Sequence, residues 1–358
     1  MKWLVLLTII GITAAAVYQI PFTKVLSRRQ RLMRSDKTCG ANGTCDGVCY
    51  SNMVLCEVLC MQSCCINRCV NKKFFDSSAS STYQQSQGLF KIQYGTGRAS
   101  GFLGNDTVRL GDAGTQQLVI PSTIFGQVTE LDAFFEEEEM IDGVLGLAFQ
   151  ELAVDGVVPP LINAIKQGLL DQPIFTVYLT EDGAVDNQPG GVFTYGGLDT
   201  QHCSSQVTYV PLSNASYFQF PIGSVTVGSL SQSCKTGCPW QAISDTGTSF
   251  LGAPQDVSDN IADVVDAIWD DNDGVYYIDC NWKADPVQIV IGSQTYTIPV
   301  KQLIVPTGNH DGKCYWAFMP MTNNGMGPTW VLGDPFIRTY CNVFDLGQKR
   351  IGFAQVNK

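Results

Sequence analysis

The chain has 358 residues, of which 45% are hydrophobic and 35 are glycines, and its formal net charge is −11. This length and apolar fraction allow a large core, which we expect to be divided between two lobes. The acidic balance argues against nucleic-acid binding, which needs a positively charged face.

Residues 1–16 are typical of a secretory signal peptide. Met1-Lys2 is followed by an apolar run from Trp3 to Ile10 and then by three alanines that end at Ala16. The run is too short to favour a stable membrane span, although an uncleaved anchor is the alternative. We therefore expect export through the secretory pathway, with a secreted, lysosomal or endosomal destination.

The next segment, residues 17–35, is basic. Its charged residues before position 35 carry one sign only: Lys24, Arg28, Arg29, Arg31 and Arg34. A basic segment against an acidic body suggests an electrostatic clamp that loosens as carboxylates become protonated. A plain basic linker is the other interpretation.

Residues 36–73 are rich in cysteine. Eight of the chain's 14 cysteines fall here: Cys39, Cys45, Cys49, Cys56, Cys60, Cys64, Cys65 and Cys69. In an exported chain this density predicts a knot of disulfides. A zinc cluster is the alternative, but the chain has only two histidines and the expected compartment is oxidising.

From Phe90 onward, short alternating runs separated by Gly, Asp and Asn predict β-strands. Two helices interrupt this pattern. Residues 159–165 begin with proline, which suits a first helical turn. Ile261, Val264, Val265 and Ile268 are spaced as one face of an amphipathic helix and predict a buried stripe. The expected fold is mostly β and two-lobed, with the lobes meeting near residues 190–205.

The motif that carries chemistry is Ala242-Ile243-Ser244-Asp245-Thr246-Gly247-Thr248-Ser249. Two small apolar residues, an Asp and then Thr-Gly-Thr-Ser indicate a carboxylate held at a tight, hydrogen-bonded turn. Such a group performs acid–base chemistry well beside a second carboxylate, because two close carboxylates share one proton.

This motif is one of five sequence landmarks that are distributed over most of the chain. They are Phe75 to Tyr83, Tyr94-Gly95-Thr96-Gly97, Asp142 to Ala148, Ser244 to Ser249, and Trp330-Val331-Leu332-Gly333-Asp334. In this order they resemble the pepsin and cathepsin D family of aspartic peptidases. The resemblance implies a bilobal β fold with an N-terminal lobe over 74–195 and a C-terminal lobe over 196–358. It also implies peptide substrates, a monomer and no cofactor.

The same resemblance exposes a gap in the first lobe. In the family each lobe has an Asp-Thr-Gly turn and a later apolar-apolar-Gly segment that braces it. The C-terminal half has both, but the N-terminal half has only the brace, Val144-Leu145-Gly146. Asp76-Ser77-Ser78 resembles a later surface segment of the family and is no substitute. We expect a deletion near residues 34–36, which would make 17–35 a truncated propeptide remnant, 36–73 an insertion, and the first lobe incomplete.

Roles at the site follow from the resemblance. Asp245 matches one catalytic aspartate, supported by Thr246, which would link the two turns, by Gly247, and by Thr248, which would bind the carboxylate. Tyr94, Gly95 and Thr96 match the tip of the flap that closes over substrate. Tyr217 lies in a segment similar to one that contacts substrate. The first catalytic aspartate is absent, so the chain as written is expected to lack activity.

Three disulfide pairs and three glycosylation sites complete the expectations. The resemblance implies Cys234–Cys238 and Cys280–Cys314, and it leaves Cys203 and Cys341, which we pair because they are the remaining two. Sequons begin at Asn42, Asn105 and Asn214.

Other chemistries have little support. Two histidines far apart do not suggest a serine or cysteine triad, and there is no Gly-x-Ser-x-Gly elbow, phosphate loop or dinucleotide fingerprint. No metal or cofactor is expected. Two alternatives stay open: a pseudoenzyme that binds peptides without cutting them, and two copies that pool their single Asp-Thr-Gly turns.

Overall fold

A computed structural model describes residues 16–24, 58–60, 75–93, 98–132, 142–180, 188–234, 239–283, 285–307, 312–321, 328 and 330–357. Strands dominate these ranges, which confirms the mostly β fold class. The strands are β1 (Tyr18–Lys24), β2 (Val58–Cys60), β3 (Gln84–Gln93), β4 (Arg98–Leu110), β5 (Leu118–Leu131), β6 (Gly143–Val144), β7 (Ile174–Leu179), β8 (Gln188–Tyr195), β9 (Cys203–Pro211), β10 (Asn214–Ala215), β11 (Phe218–Ile222), β12 (Ser224–Val227), β13 (Leu230–Ser233), β14 (Trp240–Ser244), β15 (Leu251–Pro254), β16 (Ile268–Asp270), β17 (Val275–Asp279), β18 (Val287–Ile291), β19 (Gln294–Ile298), β20 (Ile304–Pro306), β21 (Lys313–Trp316), β22 (Phe318–Met321), β23 (Trp330–Leu332), β24 (Tyr340–Asp345) and β25 (Arg350–Val356). The helices are α1 (Pro160–Lys166), α2 (Gln255–Val264) and α3 (Asp334–Thr339), with short 3-10 helices at Ser77–Ala79, Gln150–Leu152, Val154–Gly156 and Val300–Gln302.

A six-stranded sheet in the order β1-β8-β7-β24-β25-β9 takes strands from both halves of the chain. We call it the shared sheet. Its central strands β7 and β24 are antiparallel, with Phe175 opposite Phe344. The rings of these two residues stack with centroids 4.4 Å apart in the largest apolar core. The shared sheet therefore joins the two halves through the pairing of their strands.

The basic segment contributes the first strand of the shared sheet. β1 pairs with β8 along its whole length, and Tyr18, Ile20 and Phe22 pack against the core. Immediately before β1, Ala16 makes a parallel bridge with Leu170. The contacts described for β1 are thus mostly backbone and apolar. The clamp predicted from the charges of residues 17–35 stays a prediction, because four of the five cations and the Lys24 side chain lie outside the described part of the chain.

The C-terminal half contains a six-stranded sheet in the order β10-β11-β14-β23-β15-β22. β14 and β23 run parallel, with Ser244 opposite Leu332. β15 runs antiparallel to β23 and parallel to β22. The chain therefore leaves the sheet at the end of β14, turns, and returns as β15 on the other side of β23. The turn at Asp245 thus lies at the C-terminal end of an inner strand.

The N-terminal half contains a five-stranded sheet in the order β3-β4-β5-β2-β6. β2 is parallel to β5 and antiparallel to β6, where Val58 lies opposite Val144. Three residues of the cysteine-rich segment are therefore part of a lobe's sheet. The domain boundaries expected from the sequence otherwise stay predictions.

One helix agrees with its sequence pattern and one does not. The proline-led helix is present as α1, which begins at Pro160. The predicted stripe is wrong at two positions, because Val264 is 43% exposed and Ile268 is 73% exposed. The helix α2 ends at Val264, and Ile268 then begins an edge strand, so the spacing no longer describes one helical face.

Two of the predicted disulfides are present, Cys203–Cys341 and Cys280–Cys314. The third pair cannot be compared, since Cys238 lies outside the described residues, as does the whole eight-cysteine cluster except Cys60. None of the helices in the described ranges is long and apolar enough to cross a membrane.

Candidate active site

The Asp245 turn is closed by its own short contacts. The backbone N–H of Gly247 donates to Oδ1 of Asp245 at 2.8 Å, and the Thr248 hydroxyl donates to Oδ2 at 2.6 Å. Both carboxylate oxygens therefore accept a hydrogen bond, which favours the charged form of the group. Thr246, which sequence analysis assigned to linking two turns, is buried beside them.

The brace predicted at Val331-Leu332-Gly333 lies against this turn. The Asp245 N–H donates to the Leu332 carbonyl at 3.1 Å, and the Asp334 N–H donates to the Thr248 carbonyl at 2.8 Å. A Cβ at position 333 would overlap the carbonyl oxygens of Thr248 and Phe250. Glycine is needed here because two stretches of backbone pass too close for any side chain.

A buried ion pair lies on α3, the helix that directly follows the brace. Nη2 of Arg338 lies 2.7 Å from Oδ2 of Asp334, and both side chains are 6% exposed. Asp334 and Arg338 stand one turn apart on α3, at the positions where opposite charges attract. This pair was not among the predicted site residues, although its i, i+4 spacing is visible in the sequence.

Tyr217 lies in the chain segment between β10 and β11, and β11 is the neighbour of β14. Burial raises the pKa of the Tyr217 phenol, and the charge of Asp245 raises it further. The placement of Tyr217 directly before β11 agrees with the expectation that it lines the same cleft as Asp245. Its assignment to substrate contact stays a prediction.

The residues expected at the flap tip, Tyr94, Gly95 and Thr96, lie outside the described residues. The strands on either side are described: β3 and β4 are antiparallel, and Gln93 lies opposite Arg98. A four-residue connection between such strands fits a hairpin. The assignment of the flap stays a prediction.

The two described sequons differ in setting. Asn214 is exposed at the start of the short strand β10. Asn105 lies within β4, opposite Gln84 on one side and Ile124 on the other. An attached glycan is easier to accommodate at Asn214, while Asn42 lies outside the described residues.

Chemically, the turn presents a carboxylate whose two oxygens each accept one hydrogen bond. Asp245 can accept a proton from a water molecule, as a general base does. In the described part of the chain, no group of three or more His, Cys, Asp or Glu side chains could hold a metal ion.

Comparison with known proteins agrees with this geometry. The family model described as eukaryotic aspartyl protease matches residues 51–356. Aspartic protease 6 of Caenorhabditis elegans is 51% identical over 81% of this chain and 73% of its own length. Aspartic protease 2 of Necator americanus is 45% identical over 85% of this chain and 71% of its own length. Pepsin A of Gallus gallus is 35% identical over 86% of this chain and 78% of its own length. The chain belongs to the eukaryotic aspartyl protease family, the pepsin-like aspartic endopeptidases.

Proposed function

We propose that this chain is a form of a pepsin-like endopeptidase that carries one of two catalytic carboxylates, Asp245, and that as written it does not hydrolyse peptide bonds. The observation that supports this proposal most strongly is a difference between the two halves of the chain. Asp245 has a complete hydrogen-bonded turn, whereas no Asp-Thr-Gly or Asp-Ser-Gly precedes Gly143 in the sequence.

The reaction explains why one carboxylate is insufficient. In the shared-proton mechanism, one aspartate removes a proton from water while the other, protonated, donates to the carbonyl of the scissile bond. A tetrahedral intermediate then forms without a covalent enzyme adduct. Asp245 alone cannot be both deprotonated for the first step and protonated for the second.

The strand registers of the two braces suggest where the first carboxylate was lost. Val331 in the C-terminal brace lies opposite Gly252, and Val144 in the N-terminal brace lies opposite Val58. We therefore treat Gly252 and Val58 as equivalent positions in the two halves. Asp245 precedes Gly252 by seven residues, and the residue seven positions before Val58 is Ser51. The family match also begins at residue 51. We therefore infer that the missing block lies between residues 34–36, where the sequence places the deletion, and the strand that begins at Val58.

We infer that the substrates of the complete enzyme are peptides with bulky apolar residues, cleaved in an acidic lumen. Tyr217 directly precedes β11, the neighbour of the strand that ends before Asp245, and this placement supports a peptide-binding cleft at this place. The two disulfides and the apolar N-terminus support a secretory route to a lysosome or to the outside. We expect a monomer that needs no cofactor and binds no nucleic acid.

A pseudoprotease that holds peptides without cutting them is the second candidate. The complete hydrogen-bonded turn at Asp245 is the observation that favours it. Selection for binding alone would more readily change the aspartate than remove the strand that carries its partner. Pairing of two copies is the third, less favoured candidate, because the remaining N-terminal half would obstruct their docking.

The first test is to sequence the transcripts across the region that encodes residues 34–58. We expect a longer transcript with an in-frame block that contains Asp-Thr-Gly-Ser. That result would make this chain a variant of an ordinary protease. A single short transcript in every tissue would instead favour the pseudoprotease.

The second test is an assay at acid pH with a peptide of bulky apolar residues. The purified chain, Asp245→Asn and the exposed control Asp171→Asn are all expected to leave the peptide intact. Cleavage abolished only by Asp245→Asn would contradict the single-carboxylate proposal and reveal another proton donor. Cleavage by all three would remove every role given to Asp245. Peptide binding without cleavage, weakened by Asp245→Asn, would favour the pseudoprotease.

A further inference from the structure

We propose that Ser244 and Asn342 form a positioning pair that fixes the Asp245 turn to the shared sheet. Ser244 ends β14 and directly precedes Asp245. Its hydroxyl is 2.8 Å from Oδ1 of Asn342, and both residues are buried, at 3% and 0% exposure. The inference deepens the proposed function, since it rests on Asp245 being the carboxylate of the cleft.

The hydrogen-bond partners define the direction of this bond. Nδ2 of Asn342 donates to the backbone carbonyl of Tyr340 at 2.8 Å. A carbonyl oxygen only accepts, so the amide nitrogen must face Tyr340, and Oδ1 is left facing Ser244. The Ser244 hydroxyl is therefore the donor, and the amide of Asn342 has both ends engaged.

Asn342 is a rigid anchor because its strand is paired on both sides. It lies opposite Val177 of β7 and opposite Phe353 of β25. β7 belongs to the N-terminal half and β25 to the C-terminal half. The oxygen that receives the Ser244 hydroxyl is thus held by backbone from both halves of the molecule.

The other described bonds of the turn do not reach this sheet. The Asp245 carboxylate binds Gly247 and Thr248 within the turn, and its N–H binds Leu332 of the brace. Those bonds fix the shape of the turn and its place in its own sheet. The Ser244–Asn342 bond fixes the turn against the shared sheet. An apolar pair would fill the same space without imposing a direction, because only the hydrogen bond depends strongly on angle.

The test follows the titration of Asp245 in the full chain, labelled with 13C at the aspartate carboxyl carbons. Loss of one resonance in Asp245→Asn assigns the signal. We expect Ser244→Ala to raise the titration midpoint by about 0.5 pH unit or more, since a displaced turn stabilises the charged carboxylate less well. Ser258→Ala is the matched control: Ser258 is equally buried in the same half, and its hydroxyl donates to the Ala253 carbonyl at 3.2 Å. It is expected to leave the midpoint unchanged.

Two further variants separate positioning from stability. Ser244→Thr keeps the hydroxyl and is expected to keep the wild-type midpoint. The double variant Ser244→Ala with Asn342→Leu removes both polar partners, which is less destabilising than leaving one unpaired, and its midpoint is expected to stay raised. Wild-type midpoints in both Ser244→Ala and the double variant would overturn the proposal. Failure of the proposed function has another signature: the purified chain would cleave the peptide at acid pH while these titrations stay as expected.

Discussion

The two halves of the molecule repeat one strand arrangement but differ beside the brace. In the C-terminal half, β15 is parallel to β22 and antiparallel to β23, and β14 runs parallel to β23 and carries Asp245 at its end. In the N-terminal half, β2 is parallel to β5 and antiparallel to β6 in the same way. Among the described residues, no strand lies parallel to β6. The described residues of the N-terminal half therefore include the brace and the strand paired with it.

The two halves also use their charges differently. The C-terminal turn is supported by the buried pair Asp334 and Arg338. An exposed ion pair in the N-terminal half joins Arg98 and Asp132 across the ends of β4 and β5, where the side chains are 60% and 38% exposed. Buried charges must be paired, whereas exposed ones are solvated in any case. The comparison therefore predicts that losing the buried pair costs more than losing the exposed pair.

The largest effect is expected for Gly333→Ala. The new Cβ would overlap the carbonyl oxygens of Thr248 and Phe250, so the brace and the turn must separate. We expect the free energy of unfolding to fall by about 4 kcal/mol or more, in the range of severe core strain. Urea unfolding followed by tryptophan fluorescence measures it. The control is Gly223→Ala, whose Cβ would meet Val290 at an ordinary 3.6 Å; equal losses in the two variants would contradict the close-approach argument.

The next effect is the loss of the buried ion pair in Arg338→Met. The substitution leaves the Asp334 carboxylate buried without its partner, at a cost of about 3–5 kcal/mol. Arg98→Met removes the exposed pair with Asp132 and is expected to cost about 0–1 kcal/mol. Chemical unfolding of both variants measures the difference. Similar values would mean that the two halves do not differ in how they use charge.

The parts of the site that the sequence predicted are those with local contacts. Asp245, Gly247 and Thr248 lie within four positions of one another, so one motif indicates both their identity and their hydrogen bonds. The start of α1 was predicted in the same way, from a proline in the helix's own first turn. Interactions confined to one turn can be inferred from one stretch of sequence.

The parts that the sequence did not predict depend on distant pairing. Ser244 and Asn342 are 98 residues apart and meet only after two sheets have formed. β2 lies in a cysteine-rich segment that resembles no strand, and only its pairing with β5 and β6 identifies it. Val264 and Ile268 fitted a helical spacing, but the helix ended before the pattern did. Periodicity describes a face only as far as the element extends.

A smaller effect is expected in the N-terminal half at acid pH. Burial raises the pKa of the Asp106 carboxyl, but hydrogen bonds from Ser80, Thr82 and Thr107 outweigh it, and the pKa lies below its usual value. A lowered pKa stabilises the folded state above the unfolded pKa of about 3.9, and this stability is lost as the pH falls through the folded value. Calorimetry between pH 5 and pH 2.5 should show a steeper fall in Tm for the wild type than for Asp106→Asn. Parallel curves would show that this carboxylate does not contribute to acid sensitivity.

The smallest effect tests whether Tyr217 and Asp245 share one cleft. The pKa of Tyr217 is raised by burial first and by the charge of Asp245 second. Asp245→Asn removes the second cause, so the pKa of Tyr217 should fall but stay above its ordinary value, because burial remains. Titration of 13C-labelled tyrosine rings, with Tyr217→Phe for assignment, measures the change. Tyr209 is the internal control, because its pKa responds to burial, Arg350 and Asp345 instead. A fall at Tyr217 alone would place the phenol within the field of the carboxylate, as a peptide-binding cleft requires. An unchanged value would remove the physical support for its role toward substrate.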